Sequence, residues 1–136
     1  MSGGMDILVI DDPRVARFWS VVDQYSGCPG PSRPAGTMLS FTFIQQSPDA
    51  VLWVTGNMIR NYAGRADLYL FVDGNAVNRA ITYTSSLQWY DGHVFFSARL
   101  GPGTHTVDLR SDIPGIWGCG SAWGRLDAVL VGEPGP

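Results

Sequence analysis

Aromatic side chains next to turn-forming residues are the first candidates for chemistry in this sequence. Trp89 and Tyr90 stand directly before Asp91 and a glycine, and Trp117 stands in a glycine-rich stretch. A flat ring held in a loop beside polar groups can stack on a sugar or anchor a protein interface. The pattern therefore predicts a ligand surface at these loops, with simple packing of the rings as the alternative.

Arginines on strands are the second candidates. All nine basic residues of the 136-residue chain are arginines. Arg79, Arg99 and Arg110 fall in segments that read as strands. A planar guanidinium pairs with a carboxylate through two hydrogen bonds, which suits contacts between subunits. We expect these arginines to lie on sheet faces where copies of the chain meet.

The remaining polar residues show no catalytic or metal-binding pattern. His93 and His105 are twelve residues apart, and no ligand pair at metal spacing stands near either one. His105 shares an alternating stripe with Val107 and Leu109, which indicates a core or interface histidine with satisfied hydrogen bonds. No carboxylate pair, phosphate loop or dinucleotide motif can be placed. The sequence therefore predicts a protein that is not an enzyme and uses no metal and no cofactor.

The two cysteines, Cys28 and Cys119, are 91 residues apart. Two cysteines at that distance make neither a disulfide scaffold nor a zinc knuckle. They form one bridge if the fold brings the two ends of the chain together, and they stay as free thiols otherwise. Both alternatives remain open from the sequence.

Charge and composition exclude several classes of protein. The net charge is −3 at pH 7 and the arginines form no cluster, so nucleic-acid binding is not expected. Apolar residues are 45% and charged residues 15% of the chain, which excludes a disordered or coiled-coil protein. No apolar run reaches the length of about 20 residues that spans a bilayer. No basic segment precedes the first short apolar run, so we expect no signal peptide.

Short strands must position these residues. Lysine is absent and glutamate occurs once, which removes the usual residues of exposed helix faces, while 17 glycines and nine prolines supply turns. The apolar runs predict about eight strands, at 38–45, 50–55, 67–73, 76–83, 86–90, 93–100, 104–110 and 126–131. Turns are predicted at 74–75, 91–92 and 101–103. This spacing is typical of an all-β protein, an antiparallel β-sandwich or jelly roll.

The N-terminal part of the chain reads differently. Residues 1–36 are predicted to be an arm or linker, and residues 37–136 the β-sandwich domain. An Asp-Pro pair followed by apolar residues at helical spacing, Phe18 and Trp19 among them, predicts a short helix over 13–22. An extended arm is the alternative, because the segment that follows is rich in proline and glycine.

Two segments carry a resemblance to a known group of proteins. They are the hairpin made of Tyr69 to Gly74 and Val77 to Ala80, and the turn and strand from Leu100 to Arg110. Together they resemble small β-sandwich modules of tailed-phage virion proteins, both head decorations and tail accessory proteins. They are also similar, more loosely, to the jelly rolls of the tumour-necrosis-factor type. The resemblance covers about residues 38–131.

The resemblance implies a non-enzymatic module, often trimeric, that attaches to a particle or binds a surface. We therefore expect a virion protein made in the host cytoplasm, a homotrimer in contact with a major capsid or tail protein. The N-terminal arm would contribute contacts to the particle. The alternative is a glycan- or receptor-binding module that uses Trp89, Tyr90 and Trp117.

Overall fold

Every regular element in the described part of the chain is a β-strand, as the composition predicts. The computed structural model describes residues 15–25, 32–113, 115–116 and 121–134. The strands are β1 (Val15–Tyr25), β2 (Ser32–Arg33), β3 (Gly36–Gln45), β4 (Val51–Val72), β5 (Asn75–Ala98), β6 (Gly103–Ser111), β7 (Gly115–Ile116) and β8 (Ser121–Glu133). The described residues form no helix, and so none that is long and apolar enough to cross a membrane.

One long hairpin supplies strands to both layers of an antiparallel β-sandwich. β4 and β5 pair along nearly their whole length. Residues 51–58 of β4 also pair with β8, whereas residues 68–72 pair with β6. The front layer therefore has the order β1-β8-β4-β5 and the back layer the order β3-β6-β4-β5. Between the two halves of β4 lies a register shift from Tyr62 to Gly64, and a positive φ of 111° at Gly64.

The core lies between the two layers and is built from alternate residues of each strand. Gly56 of the front layer lies close against side chains of the core. A Cβ atom there would lie 2.9 Å from Leu109 Cδ1 of the back layer and 3.1 Å from Val94 Cγ2. Leucines from both layers are fully buried in this core, among them Leu52, Leu68, Leu70, Leu109, Leu126 and Leu130. Each such side chain stabilises the fold by about 1.5–3 kcal/mol through removal from water.

Side chains join the two layers at both edges of the sandwich. Asn78, in the back-layer half of β5, donates a hydrogen bond to the carbonyl oxygen of Phe95 in the front-layer half. At the opposite edge, Arg17 Nη1 of β1 donates to the carbonyl oxygen of Ile44 in β3 at 2.8 Å. Both acceptors belong to edge strands, whose open backbone groups otherwise invite pairing with another chain.

The hairpin between β4 and β5 turns at 73–74, one residue before the predicted position of 74–75. Asp73 and Gly74 occupy the two turn positions with φ values of 51° and 80°, and Val72 pairs with Asn75. Positive φ at both central residues is the geometry that matches the right-handed twist of the flanking strands. The turn predicted at 101–103 is also present, with positive φ at both of its glycines.

The turn predicted at 91–92 is wrong. Asp91 pairs with Ile59 and Gly92 with Met58, in the middle of β5. The predicted strands at 76–83, 86–90 and 93–100 are therefore one strand, and those at 50–55 and 67–73 belong to one β4. The long partner strand keeps the backbone extended at the aspartate–glycine pair, so this dipeptide does not turn.

The helix predicted over 13–22 is also wrong for the residues described. Residues 15–25 form β1, which pairs with β8 along its full length. Trp19 of β1 packs into the core against Phe41 and Phe43, with ring centroids 5.7 and 5.1 Å away. β1 is thus part of the sandwich and not of a separate arm. Residues 1–14 and 26–31 lie outside the described residues.

Candidate functional site

A groove of about 610 Å³ runs over the outward face of the front layer. All four strands of that layer line it, because the residues between the inward core positions point to this side. Backbone pairing arranges the outward residues in rows across the strands. The central row consists of Ser20, Asp127, Thr55 and Phe95, from β1, β8, β4 and β5.

Aromatic rings stand on both sides of this groove. Phe18 of β1 is 70% exposed and Phe95 of β5 is 47% exposed, although both are apolar. Trp53 of β4 is half-buried and lies beside Phe95, with ring centroids 5.9 Å apart and ring planes inclined by 53°. Exposed apolar rings gathered around a concavity mark a binding surface.

A charge pair on β8 lines the groove, on the strand that runs between β1 and β4. Arg125 Nε donates a hydrogen bond to Asp127 Oδ2 at 2.6 Å. Within the described part of the chain, these two side chains bond to each other and to no third group. The Arg125 side chain is 59% exposed and that of Asp127 36% exposed, next to Ser20 and Thr55 in the lining of the groove, so both keep hydrogen-bonding capacity beyond their mutual bond. The site can therefore donate and accept hydrogen bonds at adjacent points between apolar rings.

The back layer uses similar residues in a closed network. Asp67 is only 3% exposed and accepts hydrogen bonds from Arg65 at 2.9 Å and from the Tyr69 hydroxyl at 3.1 Å. Arg79 Nη2 lies 2.6 Å from the same carboxylate. Burial and the hydrogen bond to Asp67 raise the pKa of Tyr69. Arg65 donates through both Nε and Nη2, so four donor groups meet this carboxylate and leave it little capacity for a ligand.

Guanidinium groups cover two rings of the back layer. The Arg110 guanidinium lies 3.9 Å from the centre of the Phe71 ring, and that of Arg79 lies 5.5 Å from the centre of the Tyr69 ring. Arg110 also donates to Asp108 at 3.0 Å. Arg79 in β5 and Arg110 in β6 thus lie on a sheet face as predicted. Arg99 does not, because it follows the last residue of β5 and is exposed.

The histidine predicted to be a satisfied core residue is confirmed. His105 Nδ1 lies 2.7 Å from Asp73 Oδ2, and Nε2 lies 2.8 Å from the carbonyl oxygen of Gly101. Burial alone would lower the pKa of His105, but these two hydrogen bonds raise it above its usual value. Both partners are acceptors, so the ring satisfies both only when it carries a proton on each nitrogen.

The loop positions predicted for Trp89 and Tyr90 are not observed. Trp89, Tyr90 and Asp91 belong to β5 and pair with Asn61, Arg60 and Ile59. Their side chains lie outside the described part of the structure. Trp117 and both cysteines, Cys28 and Cys119, lie outside the described residues, so their roles stay predictions.

Sequence reasoning missed the three rings of the groove. The apolar run around Trp53 favours a core position for this residue, and the helix predicted over 13–22 contains Phe18. The signal that identifies such residues is alternation, since an aromatic residue between two inward positions of a strand must point outward. Phe95 between Val94 and Phe96 has this pattern.

Comparison with known proteins adds a likeness of shape. No family model and no curated protein matches the chain. One solved structure that does match is described as "EclA C-terminal domain; sugar-binding protein". It is 14% identical, with a TM-score of 0.44, over 92% of this chain and 79% of that one. At this level the similarity supports no assignment of family or ligand. The chain itself is an all-β antiparallel sandwich.

In the described residues, no three histidine, cysteine, aspartate or glutamate side chains stand close enough together to hold a metal ion.

Proposed function

We propose that this protein binds a glycan in the groove of the front layer. The observation that carries the proposal is the combination of Phe18, Trp53 and Phe95 around the Arg125–Asp127 pair. A sugar ring has an apolar face of C–H groups and a rim of hydroxyls. The groove offers aromatic surface to the first and charged hydrogen-bonding groups to the second.

The charge pair is suited to hydroxyl groups in particular. The bond from Arg125 to Asp127 fixes both side chains in one orientation before a ligand arrives, which lowers the entropy lost on binding. One sugar hydroxyl can donate to the free carboxylate oxygen while its neighbour accepts from the guanidinium. This arrangement favours two adjacent hydroxyls over a single polar group.

The groove supports binding without catalysis. Asp127 is the only carboxylate among the described residues that line it, and Arg125 already holds one of its oxygens. Glycoside hydrolysis generally needs two carboxyl groups about 5–10 Å apart across the bond that breaks. The role proposed is therefore that of a binding module.

Substitution of the groove tryptophan tests the proposal. The intact protein and Trp53→Ala are compared by affinity electrophoresis in gels that contain mannan, xylan, mixed-linkage β-glucan or dextran. We expect the intact protein to be retarded in at least one gel. Trp53→Ala should lose about tenfold or more in affinity, because one central aromatic contact is worth more than about 1.4 kcal/mol.

The control is Tyr83→Ala, which removes an exposed ring from the outward face of the back layer. This variant should bind like the intact protein, and thermal melting should show both variants folded. Equal retardation of Trp53→Ala and the intact protein would exclude the groove as the site. The predicted assembly into a phage particle does not depend on this groove and stays a prediction.

A further inference from the structure

We infer that the groove takes an internal stretch of about three units of a neutral polysaccharide, laid across the strands. This inference rests on the proposed glycan binding and specifies its ligand class. It follows from where the rings stand, from the topology of the front layer and from the charge of its arginine–aspartate pair.

The length of the site follows from strand spacing. Phe18 stands on β1 and Phe95 on β5, with β8 and β4 between them. Adjacent strands are about 4.8 Å apart, so these two columns are about 14 Å apart. One unit of an extended hexose chain is about as long as one strand spacing. A single sugar can therefore touch the rings on one side only, whereas about three units span both sides.

The topology favours an internal segment over a chain end. Among the described strands, β1 and β5 are the two edges of the front layer, so none of them closes the groove beyond Phe18 or Phe95. A glycan chain that lies across the strands can continue past both edges into solvent. A site for a terminal sugar needs a wall at one end, which the described strands do not provide.

The charge pair favours a ligand without charge. Arg125 and Asp127 neutralise each other, so this part of the groove has no net charge to attract an acidic sugar. The whole chain carries a net charge of −3, which repels polyanions at low ionic strength. An anionic group at this point would also face the free oxygen of Asp127.

Titration calorimetry with a length series tests the inference. The probes are oligosaccharides of one to four units, prepared from the neutral polysaccharide that retards the protein most. We expect affinity to rise about tenfold or more from one unit to three and to change little from three to four. Phe18→Ala should keep the affinity for one unit and lose most of the gain from the third.

Tyr83→Ala is the matched control, because its ring is 73% exposed against 70% for Phe18 but lies on the other face. It should give the same length series as the intact protein. A single unit that binds as tightly as three would overturn the inference and leave glycan binding intact. Tighter binding of polygalacturonate or hyaluronan than of any neutral chain would overturn the neutral class. Absence of binding to every glycan would contradict the proposed function itself.

Discussion

The two outward faces of the sandwich are built from the same kinds of residue and treat them in opposite ways. On the back face, Arg110 covers Phe71 and four donor groups fill the acceptor capacity of Asp67. On the front face, Phe18 and Phe95 are exposed, and Asp127 bonds only Arg125 among the described residues. The presence of arginine, aspartate and aromatic rings is thus no sign of a binding site by itself.

The difference lies in which groups are satisfied within the chain. A carboxylate whose acceptor sites are filled has little left to offer a ligand. The same holds for a ring that lies under a guanidinium. Such groups contribute to stability instead. Polar groups that keep unused hydrogen-bonding capacity beside apolar surface can contribute more free energy to binding a partner than to folding. The back face should therefore respond to mutation in stability, and the front face in binding.

The largest expected effect is on the back face. Asp67→Ala leaves the Tyr69 hydroxyl and two guanidinium groups without their shared acceptor. We expect a loss of about 2–3 kcal/mol in the free energy of unfolding, at the low end for buried pairs because Arg65 and Arg79 are half exposed. Urea denaturation followed by tryptophan fluorescence measures it.

The contrast between a stabilising back face and a binding front face is supported if folded Asp67→Ala still binds the glycan with the affinity of the intact protein. The contrast is contradicted if this variant keeps full stability, or if it loses binding at a temperature where it is folded.

A smaller effect should follow pH, through the His105–Asp73 contact that ties the β4–β5 turn to β6. His105 has a pKa raised above 6.5, so its contribution is complete below pH 6.5 and disappears as pH rises through the higher folded value. Burial acts to raise the pKa of Asp73, but hydrogen bonds from His105 and the Thr106 N–H lower it below 3.8. Its contribution is therefore lost only at more acidic pH.

We expect stability to fall by about 1 kcal/mol from pH 6 to pH 9, the scale of one charge-assisted hydrogen bond to a partly exposed partner. Urea unfolding at several pH values measures this slope. His105→Gln should abolish it and His93→Gln should keep it. A slope that survives in His105→Gln would assign the pH dependence to another group.

The smallest effect on stability belongs to the front face. Asp127→Asn removes the charge from an exposed pair, which should cost about 0.5 kcal/mol or less. Glycan affinity should nevertheless fall several-fold, since the free oxygen of the carboxylate is lost as a charged acceptor. Melting temperature and calorimetric affinity, measured on the same sample, test both halves. Unchanged affinity would remove Asp127 from the site.

The fold could be predicted where local chemistry and tertiary pairing agree. Asp73 and Gly74 make the turn, within one residue of its predicted position, because the strands on both sides pair with each other. Asp91 and Gly92 have the same residue types and make no turn, because β4 continues opposite them. β4 is longer than 20 residues because its two halves pair with β8 and with β6. No local sequence pattern marks that length.

The residues of the site could not be predicted from the sequence for a related reason. Phe18 and Trp19 fit helical spacing, and only pairing with β8 shows that they point to opposite faces. Residues more than 100 positions apart in the chain decide this pairing. The prediction of a sandwich with exposed aromatic residues was therefore obtainable, but not the identity of the rings that meet in one groove.

The pairing of β1 with β8 determines how the protein would respond to tension. Val15, at the start of β1, lies opposite Glu133, at the end of β8. A pull on these two positions loads that pair first, and the ladder opens one hydrogen bond at a time, like a zipper, because its bonds run across the strands. Peeling β1 away would remove Phe18 from the groove and, in the same step, Trp19 from its core contacts with Phe41 and Phe43. Mechanical force along the chain would thus disrupt the proposed site and the core together.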